Sequence, residues 1–179
     1  MQSTPSEFGT LVVTGASRGI GAAIAQLAAQ RGYAIAVNFS SVGKEAKKVV
    51  GDIAGRRGRA LAIPADISRE EEILGLFRTA ERELGPIKAL VNNAGITGGF
   101  ARVEDVAAEV IEKTLAINVT GSILCAREAV RRMSTKRGGS GGAIVNISSI
   151  AARTGGAGEW VHYAASKGAI DTFTVGLAT

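Results

Sequence analysis

Two rhythms of apolar positions take turns along the chain. Leu11-Val12-Val13 is an unbroken apolar run closed by Thr14-Gly15, the pattern of a short buried strand. Ile20 to Arg31 then places Ile24, Leu27 and Ala28 at helical spacing, and Gly32 stops the helix. Ala34-Ile35-Ala36-Val37 reads as a second strand, and Lys44 to Arg56 as a charged amphipathic helix. Ala60-Leu61-Ala62-Ile63 is a third strand ended by Pro64. Arg69 to Leu84 follows as a helix with Ile73, Leu74, Phe77 and Leu84 on one face. Ala89-Leu90-Val91 predicts a fourth strand, and Val103 to Met133 a long helix bent near Asn118. Ala143 to Ile147 predicts a fifth strand, and Tyr163 to Leu177 a last helix.

The strands are continuous apolar runs rather than alternating ones, as in a parallel sheet covered on both faces. Strand and helix alternate throughout, and right-handed crossovers turn that order into an α/β, Rossmann-like doubly wound sheet. No linker or internal repeat divides the chain, so residues 1–179 read as one domain. Gly138-Gly139-Ser140-Gly141-Gly142 is a flexible loop ahead of the fifth strand.

Composition narrows the class. With 46% hydrophobic residues the chain is not disordered, and one cysteine excludes an intramolecular disulfide framework or a Cys-rich zinc module. No run of ~18 apolar residues exists, so no membrane-spanning helix is expected. Met1 to Thr10 lacks the apolar core of a signal peptide. These features predict a cytoplasmic protein with no membrane partner. The net charge of +5 raises the question of nucleic acid, but the cations are scattered among acids. The densest group, Arg131, Arg132, Lys136 and Arg137, falls at a predicted helix end, where cations suit the helix dipole. At 4% aromatics there is little to stack on bases, so no nucleic-acid partner is expected.

Three motifs carry chemistry. Thr14-Gly15-Ala16-Ser17-Arg18-Gly19-Ile20-Gly21 joins the first strand to the first helix. Glycines there permit a tight turn and let backbone approach a pyrophosphate, which a helix N-terminus then holds. Asn92-Asn93-Ala94-Gly95 follows the fourth strand; by itself it reads as an Asn-rich turn, yet in an open parallel sheet it can face the same cavity. Tyr163-Ala164-Ala165-Ser166-Lys167 sets a phenol and an ammonium one helical turn apart. A neighbouring cation favours the phenolate; lowering a Tyr pKa from ~10 to ~7 takes about 4 kcal/mol. Ser148-Ser149, ending the fifth strand, can offer a hydroxyl to a substrate oxygen.

Together these pieces resemble the short-chain dehydrogenase/reductase family, from Leu11 to the C-terminus, and most of all bacterial members called 3-oxoacyl-carrier-protein reductase or sugar dehydrogenase. The resemblance implies hydride transfer between a nicotinamide cofactor and a small carbonyl or alcohol substrate. It makes Tyr163 the general acid/base and has Lys167 tune Tyr163 and hold the nicotinamide ribose. Ser149, rather than Ser148, orients the substrate oxygen, and Asn118 holds a water of the proton relay. It also implies a cofactor-binding set of Gly15, Ser17, Arg18, Gly19, Ile20, Gly21, Asn38, Ser40, Ser41, Asp66, Ile67, Asn92, Ala94 and Gly95, together with Tyr163 and Lys167. Asp66 faces the adenine amine. A homodimer or homotetramer through the long helix and the Tyr–Lys helix is implied, and no catalytic metal.

Cofactor choice can be argued from charge. An NAD enzyme places an acid after the second strand, on the ribose 2′-hydroxyl. Val37-Asn38-Phe39-Ser40-Ser41 has none, while Arg18 can fork onto a 2′-phosphate and Ser40 and Ser41 can add donors. NADP(H) is therefore expected over NAD(H). Cys125, amid Ile123, Leu124 and Ala126, reads as a small core residue. His162 reads as a packing or surface residue, with substrate contact the alternative, and Trp160 as a wall of either the pocket or an interface.

The resemblance implies two further strands, a substrate loop with helices, and a Pro-Gly turn beyond Thr179. Without them the last helix should expose apolar surface. The competing reading is a truncated, non-catalytic nucleotide-binding or interaction subunit, against which the intact Ser149, Tyr163 and Lys167 argue.

Overall fold

The computed structural model describes residues 6–41 and 43–178; the first five residues of the Met1–Thr10 stretch lie outside them. Five strands form one parallel sheet: β1 (Thr10–Val13), β2 (Ala34–Phe39), β3 (Ala60–Pro64), β4 (Ile87–Asn92) and β5 (Ala143–Asn146), in the order β3-β2-β1-β4-β5. The expected strands are all present.

Because side chains alternate along a strand, each central strand feeds two cores. Val12 and Leu90 turn to one face, where α3 (Glu70–Leu84) and α5 (Ser122–Met133) cover them with Phe77, Leu76, Ala126 and Met133. Leu11, Val13 and Val91 turn to the other, where α1 (Gly19–Gln30) and α2 (Gly43–Gly55) supply Ala25, Ala46, Val49 and Ile53. This is the reason β1, β2 and β4 read as unbroken apolar runs. Cys125 is wholly buried in the first core, and its thiol is pushed up to about 12 by burial and then by the Glu128 carboxylate.

The long helix expected from Val103 to Met133 is three pieces. Helix α4 (Ala108–Leu115) begins five residues later, a π-helical turn occupies Ala116–Gly121, and α5 continues. The bend expected near Asn118 is this π turn, whose wider backbone re-aims the side chains within it. Between β5 and the last helix, α7 (Val161–Leu177), the chain forms a short helix α6 (Ala151–Thr154) and a 3-10 turn at Gly155–Gly158. Val175 near the end of α7 is 71% exposed, the apolar exposure anticipated for the last helix, and Val145 on the edge strand is 50% exposed.

Strand order reverses direction between β1 and β4, and an open parallel sheet has its crevice at the carboxyl ends of the strands flanking such a switch. The loops leaving β1 and β4 are the Gly15–Gly21 turn and the Asn93–Gly95 turn. Among the described residues, no helix is long and apolar enough to cross a membrane.

Candidate active site

Thr14 ties the two switch-point loops together. Its hydroxyl accepts the backbone N–H groups of Asn93 and Ala94, both at 3.0 Å, while the Asn93 side-chain amide donates to the carbonyls of Thr14 at 2.9 Å and Gly15 at 3.1 Å. Contact is so close that a Cβ on Gly15, at φ +61°, would sit 2.9 Å from the Ala94 Cα. Gly19 differs: its φ is +59°, yet a Cβ there would meet nothing within 4 Å. Its surface is open space over the N-terminus of α1, whose N-cap, Arg18, makes no side-chain capping bond. Free helix N–H groups beside a glycine cradle form an anion site, so the residues present fit a dinucleotide's phosphates.

A cavity of about 500 Å³ runs along these loops. Gly15, Ser17, Arg18, Gly19 and Ile20 line one side, and Asn38, Ser40, Ser41, Asp66 and Ile67 the region beyond β2 and β3. Ala94 and Gly95 close the inner wall. Twelve residues of the expected cofactor set therefore meet in one place.

Several do so by holding structure. The Asn38 amide donates to the Ile63 and Ala65 carbonyls, and its oxygen accepts the Gly15 N–H at 3.2 Å, clamping the glycine loop to β2 and β3. Asp66 Oδ1 accepts both the N–H and the hydroxyl of Ser68. Gly21 and Asn92 lie outside the cavity lining. A Cβ on Gly21 would press within 2.5 Å of Asn93 Nδ2, and the Asn92 amide donates to the Ser122 carbonyl and to Asn146 Oδ1, joining β4 to β5 and α5. Six residues outside the expected set also line the cavity, two of them polar: Asn93, and Glu45 from the first turn of α2. The stretch after β2 lacks a carboxylate, but Glu45 brings one to the same wall through space.

The second half of the site is built on α7. Lys167 is only 6% exposed; its ammonium donates to the Ile147 carbonyl at 2.7 Å and lies 5.9 Å from the centre of the Tyr163 ring. Burial holds its pKa below the usual lysine value, with Asp171 opposing. That bond seats α7 against the chain just past β5, two residues before Ser149, whose hydroxyl accepts the Ala151 N–H at 3.2 Å. A Cβ on Gly95 would come within 3.7 Å of Lys167 Nζ and 3.1 Å of Asn118 Oδ1, so the ammonium borders the inner cavity wall. Asn118 is buried. Its side chain bonds both the N–H and the carbonyl of Ile96, and donates to the Ser166 hydroxyl at 2.9 Å. Asn118, Tyr163, Lys167 and the Asn93–Ile96 loop are thus one connected unit. His162 is buried against Thr97, with Nε2 at 2.9 Å from its carbonyl, a packing role.

Two of the four cations grouped at the end of α5, Arg131 and Arg132, are paired with a buried carboxylate. Glu128, 3% exposed, accepts from Arg127, Arg131 and Arg132, and Arg127 and Arg132 reach Glu70 and Glu81 on α3.

A sequence profile described as short chain dehydrogenase matches residues 9–179. The chain is 52% identical over 167 residues to "Uncharacterized oxidoreductase YgfF" of Escherichia coli (strain K12), covering 93% of this chain and 68% of that one. It is 36% identical over 162 residues to "Elsinochrome reductase 1" of Elsinoe fawcettii, covering 90% of this chain and 58% of the relative. A solved short chain dehydrogenase from Burkholderia cenocepacia J2315, in complex with NADP, superposes with a TM-score of 0.89 at 34% identity, covering 98% of this chain and 69% of the other. The chain thus spans between 58% and 69% of the length of these proteins.

Proposed function

The chain belongs to the short-chain dehydrogenase/reductase family, and from that premise we propose that it is an oxidoreductase interconverting a small carbonyl compound and its alcohol with NADP(H). The observation that carries the reading is the place of Lys167: its buried ammonium borders the Gly95 wall of the cavity and lies 5.9 Å from the centre of the Tyr163 ring. One cation there serves two tasks, holding a ribose hydroxyl and favouring the Tyr163 phenolate. Tyr163 gives the substrate oxygen its proton in reduction and takes it in oxidation. Ser149 donates a hydrogen bond to that oxygen, and Asn118 keeps the inner loop and α7 in register for a relay toward Lys167. When bound, the nicotinamide supplies or accepts the hydride at the substrate carbon.

Arg18, Ser40 and Ser41 in the lining of the same cavity support a 2′-phosphate, as does the NADP found in the Burkholderia relative. Glu45 opposes it. Arg18→Gln is therefore expected to weaken NADPH about tenfold while leaving NADH nearly unchanged, and Glu45→Gln to tighten NADPH. A Kd for NADH at or below that for NADPH in the unaltered protein overturns the preference. The catalytic assignment is tested with Tyr163→Phe: NADPH-dependent reduction across a carbonyl panel should fall about a thousandfold with NADPH affinity intact, and a retained rate overturns it. Pairing of α5 and α7 between copies, in a cytoplasmic homodimer or homotetramer, completes the reading. Sedimentation at monomer mass contradicts it.

A further inference from the structure

Beyond Ile96 the inner cavity loop is stapled to the segment that leads into Tyr163. The carbonyl of Thr97 meets His162 Nε2 at 2.9 Å, and the N–H of Ala101 donates to the Glu159 carbonyl at 2.9 Å. Only Gly98, Gly99 and Phe100 lie between the two pins. Both glycines have left-handed backbone, φ +76° and +89°, and a Cβ on Gly98 would sit 2.7 Å from His162 Nε2 and from Thr114 Oγ1. The crossing is tight, so the loop holds Phe100 in a set place rather than leaving it to swing.

Phe100 is held outward. It is 73% exposed, and its ring stacks on Trp160 with centroids 4.2 Å apart and planes 30° from parallel. Trp160 is the N-cap of α7, three positions before Tyr163. Its indole N–H is buried without a hydrogen-bond partner, so it offers a bound molecule no polar contact and backs the Phe100 ring with its π face alone. A two-layer aromatic ledge therefore stands between the loop that lines the cavity and the helix that carries the phenol. Such a surface recognises flatness and apolar area, since ring stacking needs a planar partner.

We infer that the Phe100–Trp160 ledge is a substrate-recognition surface selecting planar aromatic carbonyl compounds over saturated ones of the same skeleton. The inference rests on Tyr163 being the reacting phenol, but its test reads binding alone. Calorimetric titration compares 2-acetylnaphthalene with its decahydro analogue, using the unaltered protein and each variant, Phe100→Ala and Trp160→Phe, with NADPH titrated separately into every one. Phe100 is exposed, so its truncation leaves no internal cavity; Trp160→Phe, which keeps a ring, is the second variant.

The expected result is that the unaltered protein prefers the aromatic ketone by about fivefold or more, that Phe100→Ala removes the preference, and that Trp160→Phe retains most of it. NADPH affinity should be the same in all three. Equal affinity for the two ketones in the unaltered protein overturns the inference. So does a preference that survives Phe100→Ala, or a self-association that Phe100→Ala abolishes, which would make the ledge a contact between copies. Failure to bind NADPH would sink the proposed cofactor chemistry without touching the ketone comparison, so the two failures are distinguishable.

Discussion

Asn118 and Ile96 are bonded to each other twice: the Asn118 side-chain oxygen accepts the Ile96 N–H at 2.9 Å, and its amide donates to the Ile96 carbonyl at 2.9 Å. A third bond, from the same amide to Ser166 at 2.9 Å, carries the lock into α7. Asparagine is the side chain for this task, since it presents donor and acceptor together to an extended backbone. Asn118→Ala leaves the N–H and the carbonyl of half-buried Ile96 without their partner, while the Ser166 hydroxyl keeps its bond to the Tyr163 carbonyl, and each unpaired group costs about 1–3 kcal/mol. A total near 3 kcal/mol corresponds to a melting temperature lower by about 6–12 °C for a chain of this size. Asn118→Asp keeps the acceptor but turns a carboxylate toward the Ile96 carbonyl, and should fare no better. A thermal melt that leaves either variant unchanged contradicts the lock.

Gly19 and Gly21 share a motif but should fail differently. A Cβ on Gly21 meets Asn93 Nδ2 at 2.5 Å and the Gly15 carbonyl at 2.7 Å, so Gly21→Ala must push the loops apart, an overpacking cost of about 2 kcal/mol. A Cβ on Gly19 meets nothing, so Gly19→Ala costs only about 1 kcal/mol of left-handed strain, while its methyl enters the open space proposed to hold phosphate. Thermal melts should show Gly21→Ala as the less stable variant. Calorimetry should show Gly19→Ala weakening NADPH by about tenfold or more. The reverse ranking contradicts the assignment of the cradle.

The sheet was legible because a strand buried on both faces has no polar positions, and β1, β2 and β4 meet that condition at nearly every residue. The π turn at Ala116–Gly121 was visible only as a suspected bend, since one extra residue in a helical turn has no side-chain signature. The start of α4 was misjudged for a related reason: Val103 fits the apolar spacing but is 69% exposed. At the site, the pair Asn92-Asn93 was assigned to its first member. Strand parity separates them, because adjacent side chains leave a strand in opposite directions. Asn92 points to β5 and α5, and Asn93 to the glycine loop. Glu45 had no signal at all: it reaches the cavity through the placement of α2. The charge cluster on α5 was partly readable, since Arg131 and Arg132 stand three and four residues after Glu128. The burial of Glu128 was not.

Lys167 should set the alkaline side of the activity profile. Burial favours its neutral form and lowers its pKa, and the Asp171 carboxylate one turn on raises it back. Asp171→Asn removes the opposing effect, so the Lys167 proton is lost at lower pH. The falling alkaline limb of kcat/KM should move toward neutral pH, with the plateau rate preserved. A limb that stays in place, or moves to higher pH, contradicts the role given to Lys167.

Glu128 should govern stability in acid. Burial by itself would raise its pKa. The hydrogen bond and charge of Arg132, then Arg131 and Arg127, outweigh that and hold the carboxyl below the usual carboxylate range. A carboxyl depressed in the folded state is bound to its proton more tightly in the unfolded one, so its contribution is full above the unfolded value of ~4.3 and is lost as pH falls through the folded value. Glu128→Gln keeps the shape, deletes the charge, and leaves Arg131 and Arg132 facing a neutral amide. Removing one partner of a buried ion pair costs about 3 kcal/mol, reduced here because Arg131 is half exposed, so a loss near 2 kcal/mol is expected at neutral pH. The distinguishing feature is the pH dependence. Below the unfolded value of ~4.3 the gap should begin to narrow, and it closes only once the pH has fallen past the lowered folded value, where both proteins carry a neutral group at this position. Urea unfolding at neutral and acid pH measures the gap directly. A gap that does not narrow with acid would mean that packing at position 128, and not its charge, holds α5 to α3.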